Sequence, residues 1–229
     1  MMMQVSLRSG EVVKFPASFP AVASVSTQAK ITRLADIFVS VIALIVLAPL
    51  LLVIALLVML SDGGPALFGH TRLGRGGTRF ACLKFRTMVV DSDARLAAHL
   101  AADPAARAEW ADGQKLRHDP RVTALGRFLR RSSIDELPQL INILRGEMSL
   151  VGPRPIVDAE VCRYGRYIAS YYSVKPGVTG LWQVTGRGEA SYRRRVVLDL
   201  AYVRSQSIRL NFAILFLTVP RVLFGAGSY

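Results

Sequence analysis

The residues best suited to chemistry lie between Arg127 and Pro155. Two adjacent carboxylates, Asp135 and Glu136, follow Arg127, Arg130 and Arg131 and precede Arg154, which sits in a Gly152-Pro153-Arg154-Pro155 turn. Guanidinium forks match phosphate oxygens in pairs, and flanking prolines fix a loop so that an arginine is aimed at low entropic cost. Carboxylates among arginines also suit a divalent cation bridging a diphosphate. Together these residues point to phosphoryl-group chemistry, in which a carboxylate acts as nucleophile and positive charge stabilises the equatorial oxygens. The plain alternative is that the Asp-Glu pair caps a helix and the arginines form a solvated face. Taken in isolation the pair fits that account better, and only the density of arginines around it favours chemistry.

The elements expected to position these groups are short. A helix carrying Leu140, Ile143 and Leu144 on its buried stripe begins either at a Ser133–Glu136 capping box or slightly later, with Asp135 near the N-cap, which spares Pro138 a lost hydrogen bond. Either start leaves the carboxylates among free backbone N–H groups, where anions are favoured. Upstream, residues 68–80 have the glycine-rich centre and flanking alternation of a β-hairpin, and residues 81–88 continue its second strand. Gly74, Gly76 and Gly77 lack the strand, helix and later acid of a dinucleotide fingerprint and read as turn residues. Helices are expected over residues 91–100 and again after Pro104. His70, His99 and His118 stand apart from one another, and Cys82 and Cys162 lack metal spacing, so neither a zinc cluster nor a disulfide framework is expected.

Residues 37–60 are uncharged, apolar and longer than the roughly 20 residues that span a bilayer as a helix. Pro49 near their centre should kink that helix. Lys30 and Arg33 precede the segment, and Arg72, Arg75, Arg79, Lys84 and Arg86 follow it; basic residues on both flanks favour a re-entrant hairpin over a simple crossing. Residues 1–29 show no sustained periodicity and read as a flexible tail. The expected division is therefore a 1–29 tail, a 30–61 membrane helix and a 62–229 catalytic domain. Residues 210–224 are apolar but too short to span; an interfacial helix and a cap on the core fit equally well. The 229 residues, 52% of them hydrophobic, suffice for one core, and the net charge of +13 suits a polyanionic partner. Nucleic acid is disfavoured, because no basic helix or interleaved aromatics are evident.

Five motifs in order resemble the bacterial sugar transferase family, the monotopic polyprenyl-phosphate hexose-1-phosphate transferases. They are residues 84–88 (KFRTM), 119–123 (DPRVT), 133–140 (SIDELPQL), 146–155 (GEMSLVGPRP) and 175–187 (KPGVTGLWQVTGR), within a match from about Lys30 to Phe224. The resemblance implies the α+β class: a re-entrant membrane helix, broken at Pro49, before a small, mainly helical cytosolic catalytic domain with a β-hairpin. The family's break is commonly Ser-Pro, and here it is Ala48-Pro49. The resemblance further implies that Asp135 attacks the β-phosphorus of a UDP-hexose and releases UMP, and that undecaprenyl phosphate then takes the sugar phosphate. Glu136, with Asp135, would hold Mg²⁺ or position the acceptor. Arg130, Arg154, Lys84 and Arg187 would bind substrate phosphate, while Asp199 and Tyr202 match family positions that fit structural pairing equally well. The length and the Ser61-Asp62-Gly63-Gly64 exit look like the exopolysaccharide-priming galactose-1-phosphate transferases, with glucose 1-phosphate as the other donor group expected. The implied setting is the cytoplasmic face of the bacterial inner membrane, in contact with the lipid bilayer and with self-association left open. Two other readings stand beside it: a non-catalytic membrane adaptor with a basic anion-binding face, and a lipid-linked glycosyltransferase that would release UDP.

Overall fold

The computed structural model describes residues 3–6, 12–15, 22–113, 116–185 and 191–224. Helices dominate, and three two-stranded sheets complete an α+β architecture. Residues 3–15 include an antiparallel pair, β1 (Met3–Ser6) with β2 (Val12–Phe15), and the first helix begins at Val22.

That helix, α1 (Val22–Asp62), contains 41 residues, about 60 Å of α-helical rise. It continues through Pro49, so the proline does not divide it into two elements. One stripe faces the rest of the molecule on both sides of the proline: Asp36 and Ser40 are buried, Ala43 and Leu44 pack against Leu140, Ile143 and Met148, and Ile54 and Val58 pack against Phe85 and Leu129. The spacing of three and four residues is that of a single helix face. Its ends are pinned by polar contacts. Near the start, Arg33 donates from Nη2 to the Leu144 carbonyl (2.9 Å), covering part of an open helix C-terminus, and Asp36 accepts from the Leu150 N–H (3.0 Å). At the far end, Arg86 pairs with Asp62. The remaining surface of α1, including Phe38, Ile45, Val46, Leu52 and Leu60, is open and apolar, making it the one described helix long and apolar enough to cross a membrane.

The expected hairpin is present as β3 (Leu67–Leu73) and β4 (Arg79–Phe85), joined through a 3-10 turn at Arg75–Gly77. Helices α2 (Ser92–Ala102) and α3 (Pro104–Gly113) follow as the sequence predicts. Next come α4 (Ala124–Ser132), α5 (Gln139–Arg145) and β5 (Ser149–Val151). The short helices α6 (Val161–Tyr164) and α7 (Ile168–Tyr172) lead to β6 (Gly177–Thr179), which pairs parallel with β5. The chain ends in α8 (Leu181–Thr185), α9 (Tyr192–Ser205) and α10 (Ile208–Phe224). The last segment packs on the core through Ile214, buried with Val184, Leu198 and Tyr202, while Phe212 and Phe216 are exposed.

Two devices set the centre of the molecule. Asn142 of α5, fully buried, accepts from the Leu83 N–H (2.9 Å) and donates to the Ala81 carbonyl (2.8 Å), so one side chain completes the open edge of β4. Gly126 in the first turn of α4 lets the helix meet the loop after β4: a Cβ there would lie 2.1 Å from the Thr87 carbonyl oxygen.

Candidate active site

The helix expected to begin at Asp135 is divided. Ser133 closes α4 in the left-handed region (φ 57°), the only non-glycine residue with positive φ among those described. Asp135 and Glu136 then occupy a 3-10 turn, Ile134–Glu136, and α5 starts only after Pro138. Neither Ser133 nor Asp135 makes the expected side-chain cap. A proline has no N–H to continue a helical ladder, so the bend falls between the carboxylates and α5. A non-glycine residue held in the left-handed region costs of order 1 kcal/mol, and such strain concentrates where geometry serves a site.

Beside this turn stands β4. Lys84 Nζ lies 2.7 Å from Glu136 Oε1 and 3.8 Å from Asp135 Oδ2, so one ammonium serves both carboxylates. Asp135 is buried, with 7% of its surface exposed. Burial raises its carboxyl from 3.8 to about 6 despite the Lys84 and Arg130 charges, and the neighbouring Glu136 adds to the rise. Its acidity thus matches neutral conditions, ionised at pH 7 but weakly solvated, which are useful properties in a nucleophile. Arg130, on the last turn of α4, is oriented by a hydrogen bond from Nε to Thr87 Oγ1 (2.9 Å). Thr123 starts that helix, its hydroxyl accepting from the Gly126 N–H at 2.8 Å.

Glu136 and Lys84 open onto a shallow cleft whose other walls include Arg72, Cys82, Gln139, Arg154 and Gln183. Arg154 extends from the loop after β5, where Pro153 is fully buried. The Tyr171 hydroxyl ties this loop to the hairpin, donating to the Leu73 carbonyl (2.9 Å) and accepting from the Ile156 N–H (3.2 Å). Behind the loop is a second charged layer. Asp199 accepts from the Tyr164 hydroxyl (2.7 Å) and lies 3.8 Å from Arg195 Nε; burial raises its carboxyl to about 6. Glu160 lies 3.1 Å from Arg195 and 3.8 Å from Arg72.

Of the residues singled out by sequence, Lys84, Asp135, Glu136, Arg130 and Arg154 converge on one region. Arg187 lies outside the described residues. Pro49 is an exposed position on α1, remote in role from the cleft. Arg127 donates instead to the Val122 carbonyl (3.0 Å), and Arg131 is exposed. Tyr202 is structural: its buried hydroxyl lies 3.0 Å from the Val151 carbonyl and 2.9 Å from Asn211 Oδ1. Sequence reasoning missed Arg72, Gln139 and Gln183 as cleft residues. Arg72 was open to detection: the hairpin register opposes Arg72 to Phe80 and Phe68 to Lys84, and residues two apart share a face, so Arg72 and Lys84 project from the same side.

The model of the family described as bacterial sugar transferase matches residues 27–225. The chain is 50% identical over 197 residues to an undecaprenyl-phosphate galactose phosphotransferase of Salmonella typhimurium, covering 86% of this chain and 41% of that one. It is 45% identical over 214 residues to the exopolysaccharide production protein ExoY of Rhizobium meliloti, covering 93% and 94%. An undecaprenyl-phosphate glucose phosphotransferase of Komagataeibacter xylinus is 44% identical over 211 residues, covering 86% of this chain and 36% of its own length. The chain thus spans about two fifths of the Salmonella and Komagataeibacter relatives and nearly all of the Rhizobium meliloti one.

Proposed function

The chain belongs to the bacterial sugar transferase family, and from that premise we propose that it transfers a hexose 1-phosphate from a UDP-hexose to undecaprenyl phosphate, releasing UMP, as a membrane step of exopolysaccharide production. The observation that carries this reading is the buried carboxylate of Asp135 beside a cleft walled by Arg72, Lys84 and Arg154. A diphosphate needs that positive charge, and a phosphoryl centre held by it needs a nucleophile that is ionised yet poorly hydrated.

In the proposed reaction an Asp135 carboxylate oxygen attacks the β-phosphorus of the donor. The bond from that phosphorus to the bridging oxygen breaks, UMP leaves with the oxygen, and the sugar phosphate remains on the aspartate. A phosphate oxygen of undecaprenyl phosphate then attacks the same phosphorus, which frees the carboxylate and forms a polyprenyl diphosphate sugar. Arg154 and Arg72 hold phosphate oxygens, Arg130 raises the positive potential around Asp135, and Lys84 keeps the two carboxylates from repelling each other apart. Glu136 is placed to orient the incoming acceptor.

Mg²⁺ fits this donor set in the way that ion usually binds, through one or two carboxylates together with substrate oxygens. Glu136 opens onto the cleft with Asp135 beside it, and no cluster of three or more ligating side chains is found among the described residues. When bound, the ion would neutralise charge on the departing phosphate. Galactose and glucose are both candidate sugars, since relatives are named for each.

The membrane setting follows from α1. One stripe of α1, from Asp36 to Val58, packs on the catalytic body, and the rest of its apolar surface is open. We place α1 with its open apolar face in lipid and the catalytic domain at the cytoplasmic face of the inner membrane; basic residues on both flanks favour re-entry, which requires α1 to bend at Pro49 rather than run on as one helix. The test is to incubate purified protein, Mg²⁺ and undecaprenyl phosphate with a panel of UDP-hexoses. UMP from one of them supports the proposal; UDP would mean sugar transfer without phosphate, and no nucleotide from a broad panel would favour an anion-binding adaptor.

A further inference from the structure

Arg154 is unusual among the charged groups of the cleft. Among the described residues its guanidinium has no hydrogen bond or ion pair, and the aromatic face beside it is that of Trp182, 6.0 Å from the ring centroid. Lys84, by contrast, is paired with Glu136, and Arg72 donates to the Pro155 carbonyl (3.2 Å) and faces Glu160. An arginine between two prolines has a fixed backbone, but its side chain has four torsions to order. An aromatic face supplies that order without using any N–H donor, because contact is made through the plane of the guanidinium. A carboxylate in the same place would consume the fork needed for phosphate.

A second cation lies against the same indole. The Arg195 guanidinium lies 5.4 Å from the same indole centroid and 5.0 Å from the Tyr192 ring. Arg195 is buried and anchored through Nη1 to Glu160 (3.1 Å), with Asp199 3.8 Å from its Nε. Two like charges on one indole would repel each other, and Asp199, whose acidity both Arg195 and Arg154 increase, supplies the compensating negative charge. Buried Arg195 Nε and Nη2 have no hydrogen-bond partner, so packing against Trp182 and Tyr192 is the main constraint on that end of the side chain.

We infer that Trp182 and Arg195 are positioning residues for the phosphate-binding arginine, an indole seated on one guanidinium and presenting the other, Arg154, to the cleft with its full set of donors unspent. This rests on the reading of the cleft as a diphosphate site. The expected signature is a split between kinetic constants: Trp182→Leu raises KM for the UDP-hexose roughly tenfold, the size of one aromatic–cation contact, while kcat stays within about threefold. Trp182→Phe, which keeps a ring face, recovers most of the loss.

A second measurement does not need turnover. The chain has two tryptophans, and Trp110 lies on α3 beneath Arg121, so Trp110→Phe leaves Trp182 as the sole indole. Titrating UDP into that protein should change its emission saturably, and the change should vanish in Trp110→Phe/Arg154→Ala. The inference is overturned if Trp182→Leu folds and keeps the wild-type KM, or if Trp182 emission stays unchanged at UDP concentrations that inhibit the enzyme. If instead no UDP-hexose yields UMP while UDP still alters Trp182 emission as expected, the proposed reaction fails and the positioning of Arg154 stands.

Discussion

Replacing Asp135 by Asn should stabilise the protein while abolishing its activity. Asn keeps the shape of the side chain but carries no charge, and the charge is what the buried position disfavours. Holding a carboxyl at about 6 rather than 3.8 corresponds to about 3 kcal/mol of penalty on the ionised form. The sign follows from linkage. Because the folded-state value is the higher one, the penalty is absent below pH 3.8, grows between 3.8 and about 6, and is complete above that. The variant's advantage should therefore be largest at pH 7–8 and fade toward pH 4. The attraction of Lys84 and Arg130 is already contained in that net value, and for a chain of this size about 3 kcal/mol corresponds to about 6–12 °C in Tm. Thermal unfolding of both proteins in one detergent, followed by circular dichroism from pH 4 to 8, reads this directly. A variant that melts at or below the wild type at pH 7.5, or a gap that does not shrink on acidification, would refute the assignment of a buried, weakly solvated carboxylate.

Lys84→Met should cut kcat by at least 100-fold and move the acid limb of the pH–rate profile upward from about 6, because the Lys84 ammonium is the strongest charge holding the Asp135 carboxyl down; full profiles of both proteins check this. Asn142→Leu should cost about 2 kcal/mol, since the Leu83 N–H and Ala81 carbonyl would be left unpaired in a partly buried place, and urea titration would measure it. Gly126→Ala should lower Tm by several degrees and, by pushing α4 off Thr87, loosen Arg130 and reduce activity more than stability alone explains. Restoring Tm with an added stabiliser without restoring activity would separate the two effects.

Much of the hairpin and membrane helix is legible in the sequence because local pattern dictates it. Alternation about Gly74–Gly77 gives β3 and β4, and an uncharged apolar run of helical length gives α1. The convergence of Lys84 with Asp135 and Glu136 was indicated only by family motifs, since 52 residues separate Lys84 from Glu136 and the bond between them depends on tertiary packing. The turn at Ser133 was misread for a definite reason: Ser followed three residues later by Glu has the form of a capping box, yet Ser133 is left-handed and closes the preceding helix. Composition suggests a cap but cannot say which of two adjoining helices receives it. The Arg195–Trp182–Arg154 layer escaped notice because its members come from α9, α8 and the loop after β5, with no short-range spacing to reveal it.

The central claim is that Asp135 carries the sugar phosphate between donor and acceptor. Intact-protein mass spectrometry after brief incubation with the productive UDP-hexose, with undecaprenyl phosphate omitted, tests it most directly. One added hexose phosphate on the wild-type chain, located to the peptide containing Asp135, missing from Asp135→Asn and discharged on adding undecaprenyl phosphate, is the predicted result. An enzyme that releases UMP on complete substrates yet never gains that mass, or gains it at another residue, would contradict the account.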